Sequence, residues 1–137
     1  MGAGAGDSGL RRRIRFFGTL QEDLIAFAEH SFRLSVTDKN GVTEREHLEQ
    51  IEKATGRRPD FLDGPEIPTL AEPVWGYFRQ MHSRRTYGME GPHPLTYESI
   101  LAWCNLYAIR LSWWEMEAIE SLDTTWLNVM RERKDGG

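Results

Sequence analysis

At 137 residues the chain is long enough to bury one hydrophobic core without a metal or disulfides, so a single domain is expected. Apolar residues at 39% and charged residues at 28% describe a folded protein, and Cys104, the only cysteine, excludes an intrachain disulfide and suits a reducing compartment. A formal charge of −4 with a pI near 5.6 repels a phosphate backbone, and no apolar run approaches the roughly 18 residues needed to span a bilayer.

The chain opens with Met-Gly-Ala-Gly-Ala-Gly-Asp-Ser-Gly, which offers no side chains for a core, so residues 1–18 are expected to be a flexible Gly/Arg-rich leader. Its charges stand beside two aromatics rather than an apolar signal-peptide segment, which argues against secretion. Thr19-Leu-Gln-Glu22 has the spacing of a capping box, and Leu20, Leu24, Phe27 and Ala28 follow at helical intervals. These predict a first helix over about 20–32 within an N-terminal unit, residues 19–42, that ends in the turn Asp38-Lys-Asn-Gly41. Arg33–Thr37 could form a brief extended stretch.

Thr43-Glu-Arg-Glu46 is a second capping box, opening a helix that Gly56 would close. Only Leu48, Ile51 and Ala54 share a face there, so this helix is expected to be mostly exposed. Pro59, Pro65, Pro68 and Pro73, with Gly64, make residues 57–73 a Pro-rich linker. Val74, Tyr77, Phe78 and Met81 then predict a short helix after Pro73. An eleven-residue Gly/Pro loop, Arg84–Pro94, leads to a helix capped by Thr96 whose expected inner face is Tyr97, Ile100, Leu101, Cys104 and Ala108. Ser112-Trp-Trp-Glu115 is a third capping box, opening a last helix with Met116, Ile119, Leu122, Trp126 and Val129 inward. The fold expected is all-α, a small bundle of about five helices. Residues 43–131 would form its main domain and 132–137 a flexible tail.

No catalytic constellation, phosphate loop or cofactor motif is legible. Glu44-x-x-His47 has the spacing of one helix of a di-iron bundle, yet no second copy supplies the remaining ligands. His82, His93 and Cys104 match no compact zinc pattern, and Gly88-x-x-Gly91 lacks the lysine of a phosphate loop. Arg11-Arg-Arg-Ile-Arg15 with Phe16 and Phe17 has the composition of a single-strand binding platform, but a solvated basic tail suits a short segment on an acidic chain better. No catalytic, cofactor or metal residues are therefore assigned. Five tryptophans are more than a small bundle readily buries, and surplus aromatics mark a protein-binding module.

The order of Arg45-Glu-His-Leu48, Ala54-Thr-Gly-Arg-Arg-Pro59, Pro73-Val-Trp-Gly-Tyr-Phe78, Arg85-Thr-Tyr-Gly-Met-Glu-Gly-Pro-His-Pro-Leu-Thr-Tyr97, Ile100-Leu-Ala-Trp103, Leu111-Ser-Trp-Trp-Glu115, Ile119-Glu-Ser-Leu-Asp123 and Trp126-Leu127 resembles the tail assembly chaperones of tailed bacteriophages. Met1–Val42 has no counterpart in the pattern. The resemblance implies a non-enzymatic protein that works in the host cytoplasm and leaves before the tail is finished. Its partners would be the tape measure protein, kept soluble, and the tail tube protein, recruited to it. A longer frameshifted form and self-association are compatible with it. A head–tail connector or tail completion protein of the virion, and a small nucleic-acid-binding regulator, are the alternatives. The expected partner patch is Arg85 and Tyr87 with the exposed members of Trp75, Trp103, Trp113 and Trp114, since Arg, Tyr and Trp supply apolar bodies with polar tips.

Overall fold

A computed structural model describes residues 3–136, and the side chains of 8–135. Five α-helices are found among them: α1 (Ala3–Ser35), α2 (Glu44–Thr55), α3 (Glu72–His82), α4 (Tyr97–Tyr107) and α5 (Trp113–Gly136). Two residue pairs, β1 (Tyr87–Gly88) and β2 (Gly91–Pro92), form a small antiparallel hairpin in the Gly/Pro loop. The architecture is an all-α bundle.

Capping chemistry sets most of the helix starts. Thr43 Oγ1 accepts from the Glu46 amide at 3.1 Å, and Gly56 closes α2 with φ of 74°. Thr96 Oγ1 accepts from the Ser99 amide at 3.0 Å at the start of α4. The Ser112 box is fully reciprocal: Ser112 N donates to the Glu115 carboxylate at 2.9 Å and Glu115 N donates to Ser112 Oγ at 3.2 Å. Pro73 sits in the first turn of α3, where its missing N–H costs nothing.

The first box is different. Thr19 and Glu22 lie inside a helix of 33 residues that starts at Ala3, not near Leu20, so the stretch expected as a leader is helical from Ala3 onward. Met1 and Gly2 lie outside the described residues. The expected tail is likewise part of α5 as far as Gly136. Arg33–Thr37 is helical to Ser35, and only Thr37 is extended, in an isolated bridge to Thr43.

Helices α1 and α5 run side by side in the same direction and form the spine. Trp114 Nε1 donates to Phe17 O at 3.2 Å near one end, Gln21 Nε2 donates to Ser121 Oγ at 2.9 Å, and Arg33 pairs with Glu132 at 2.9 Å near the other. Leu20, Leu24, Ala28 and Phe32 of α1 meet Ala118, Ile119, Leu122, Trp126 and Val129 of α5, and Val74, Phe78 and Met81 of α3 complete one continuous core. Helix α2 buries no residue and leans on α1 through the Asp38 turn, where Asp38 accepts from the Asn40 and Val42 amides and from His47. Those donors hold the Asp38 carboxyl below its usual range, the Val42 amide contributing most. The linker between α2 and α3 contains two single 3₁₀ turns, Asp60–Leu62 and Thr69–Ala71, which bury Leu62 and Ala71.

Candidate functional site

The Gly/Pro loop is largely exposed, but one of its side chains, that of Arg85, is buried. Arg85 is 8% exposed, because the turn after α3 aims its side chain back between α3 and α5. Its guanidinium donates to Asp123 Oδ1 at 2.5 Å, to His93 O at 2.8 Å and to His82 Nδ1 at 3.0 Å, and it lies over the Trp126 ring at 4.3 Å from the centroid. The second Asp123 oxygen accepts from the Leu95 amide at 3.1 Å. One Arg–Asp pair thus fixes both limbs of the loop to α5, with the pair's hydrogen-bonding groups satisfied as a buried charge requires.

The rest of the loop follows from this lock. His93 N donates to Thr86 O at 2.9 Å beside the hairpin, and a Cβ on Gly88 would lie 2.6 Å from the His93 ring, so only glycine allows that approach. His82 stacks on Phe78 and meets Trp126 edge-on at a centroid distance of 4.5 Å. Burial, reinforced by the neighbouring Arg85 charge, lowers its pKa from 6.5 to about 4, so the ring is neutral at pH 7 and its Nδ1 is free to accept.

Arg85 therefore does not present an anchor to solvent, contrary to the expectation from its loop position. Trp114 is also turned inward, at 7% exposure, its indole spent on the α1 backbone. Trp75 is half-buried in an aromatic stack with Phe27, Phe32 and Phe78. Tyr87 and Trp113 are exposed, at 63% and 59%, on different parts of the molecule. Of Arg85, Tyr87 and the four tryptophans, only Tyr87 and Trp113 are exposed, Tyr87 near the end of α5 and Trp113 at its start.

The apolar surface lies instead on α4. Tyr97, Leu101, Leu106 and Tyr107 are all exposed, Leu106 to 82%, and Ile100 is the only residue of the helix that is buried. The expected inner face was rotated: Ile100 and half-buried Cys104 do point in, but Tyr97, Leu101 and Ala108 do not. Physically, α4 rests on a narrow seam, and its apolar residues extend round both flanks, so spacing could not choose between them. On one flank Trp103 lies between Tyr77 and Tyr107, at centroid distances of 5.3 and 5.1 Å. Its Nε1–H is buried without an acceptor. On the other, Tyr97 donates to Glu120 at 2.9 Å, which raises the phenol's pKa. Helix α4 is the most apolar helix of the chain and one of the least covered.

This surface is an apolar face edged by the Glu98 and Glu120 carboxylates. Among the described residues no group of three or more His, Cys, Asp and Glu side chains could hold a metal, and no helix is long and apolar enough to cross a membrane. The Cys104 thiol is pushed up from its usual pKa by burial, then by Glu115, which makes it a poor nucleophile. A family model described as phage tail assembly chaperone matches residues 51–128, more than half of the chain, from the second half of α2 to well into α5. No curated protein and no solved structure matches.

Proposed function

The chain belongs to the phage tail assembly chaperone family, and from that premise we propose that it holds the tape measure protein through the outer face of α4 while recruiting tail tube subunits to it. The observation that carries the reading is the mismatch on α4 between composition and burial: a helix this apolar gains little from its own bundle. A tape measure protein exposes long apolar helical stripes until the tube surrounds it, and a second helix lying along the flank of α4 that carries Tyr97 and Leu101 would cover such a stripe by helix-in-groove packing.

The polar rim fits the same role. Glu98 and Glu120 flank the face, so an occupant would have apolar positions edged by basic ones. A small face rimmed by charge gives modest affinity, which allows release as the tube grows. The protein would act in the host cytoplasm, without catalysis, and would leave before the tail is complete. Tyr87 stands on the hairpin, where it can contribute to tube recruitment.

The test is co-expression with a long helical fragment of the tape measure protein. With the parent chain the fragment stays soluble and co-purifies. Leu101→Glu, at an exposed position on that flank, should abolish this while leaving the circular dichroism spectrum unchanged. Undiminished co-purification would place the client elsewhere, and a fixed copy number of the chain in purified virions would favour a structural connector instead.

A further inference from the structure

Helix α1 is longer than the body it packs on. At 1.5 Å per residue its 33 residues span about 50 Å. Its core contacts start at Phe17 and Leu20. The stripe that buries Leu20, Leu24 and Ala28 continues toward the N-terminus as Ile14 and Leu10, each 56% exposed. Arg11, Arg12, Arg13 and Arg15 surround these two, and none of the four makes an ion pair among the described residues.

Further along, an open groove of about 600 Å³ runs between α1 and the start of α5. Phe17, Ile25 and Trp114 give it an apolar lining, and Glu22, Glu29 and Glu117 stand on its sides. The projecting segment and the groove are complementary in both respects: one is an apolar stripe with basic flanks, the other an apolar trough with acidic flanks. They lie on the same helix.

Their placement on that helix determines how they can meet. At about 100° per residue, Arg11, Arg15, Gly18, Glu22 and Glu29 fall within an arc of roughly 60° on the exposed side of α1. The basic residues occupy one end of this arc and the acidic residues the other. Parallel copies would set like charges side by side, whereas antiparallel copies set opposite charges together. With a two-fold axis level with residue 20, Arg11 faces Glu29, Gly18 faces Glu22, and Ile14 comes beside Ile25, which lines the groove. Gly18 is at the centre of the crossing, and a Cβ built there meets nothing within 4 Å, so the chain itself leaves that space open. A closed two-fold contact uses one patch twice, and this arc is such a self-complementary patch.

We propose that the chain pairs with a second copy of itself through antiparallel α1 helices, each copy laying its Arg-rich segment into the acidic groove of the other. The pairing is independent of client binding by α4, since it uses neither Tyr97 nor Leu101.

Sedimentation velocity on the full chain tests it. At concentrations on the order of tens of micromolar in low salt the parent should sediment as a dimer, weakening about tenfold or more in high salt as the ion pairs are screened. Arg11→Glu with Arg15→Glu should be monomeric, as should Glu22→Arg with Glu29→Arg, because each reversal faces like with like. An equimolar mixture of the two variants should recover the dimer, since every contact is then opposite in sign. Gly18→Leu, at a position open in the monomer, should weaken pairing without altering the fold. A parent that stays monomeric, an Arg-reversed variant that still dimerises, a mixture that does not, or a Gly18→Leu chain that pairs as tightly as the parent would each overturn the proposal.

Discussion

The loop around Arg85 and the helix α4 that follows it invert the usual correspondence between polarity and position. The loop carries the charge, yet Arg85 is buried with each of its three side-chain nitrogens donating; α4 carries the apolar residues, yet it stands largely in solvent. A charge goes inside when a partner of opposite sign and a few carbonyls are already arranged for it, and an apolar helix stays outside when its own bundle offers only a narrow seam. The first region specifies one arrangement of the chain. The second is held in place by the first and leaves apolar surface in solvent.

This contrast can be broken at several points. The largest effect should come from Trp126→Ala, which empties a core site and removes the ring beneath the Arg85 guanidinium; a loss of about 3–5 kcal/mol in denaturant unfolding is expected. Arg85→Met keeps the bulk of the stem but leaves Asp123 buried with only the Leu95 amide, and should cost about 3 kcal/mol by the same measurement.

His82 gives the lock a pH dependence. Its folded pKa, about 4, lies below the 6.5 of the free ring, so the unfolded chain takes up a proton between these values while the folded chain does not. The contribution is complete above pH 6.5 and is lost as pH falls toward 4. Unfolding free energies from urea titrations at pH 7.5 and 4.5 should differ by roughly 1–2 kcal/mol from this ring, which stays partly solvated, and His82→Gln should flatten that part of the profile.

Smaller effects sharpen the other side of the comparison. Ala108 ends α4 with φ of 53°, a left-handed conformation that alanine adopts at a cost, so Ala108→Gly should stabilise by about 0.5 kcal/mol. Leu101→Ser should change stability by less than about 0.5 kcal/mol, because the side chain is 62% exposed. A large loss there would mean that α4 is more deeply seated than its burial indicates.

Much of the fold was legible because helix starts have local chemistry. Thr43, Thr96 and Ser112 announce themselves within four residues, and the α5 stripe from Met116 to Val129 points inward as its spacing required. The N-terminal half of α1 was not legible, since glycines weaken the helical signal and the projecting segment has no core partner to impose periodicity. Arg85 was misplaced because its partner lies 38 residues away. A signal for it did exist: Asp123 adjoins the inward residues Leu122 and Trp126, and a carboxylate there demands a buried cation. On α4 the apolar residues were correctly seen, but a helix with apolar residues on both flanks does not reveal its rotation.

The Arg85–Asp123 tie has a consequence for sequence drift. It closes the chain into a ring whose two ends are fixed, at Leu95 by an Asp123 oxygen and at Ser112 by the Glu115 cap, with α4 suspended between them. Substitutions on the outer side of that suspended helix touch neither fastening. The outward positions between Thr96 and Leu111 can therefore vary while the frame stays unchanged, and under the proposed function it is there that the face would be refitted to a different partner stripe.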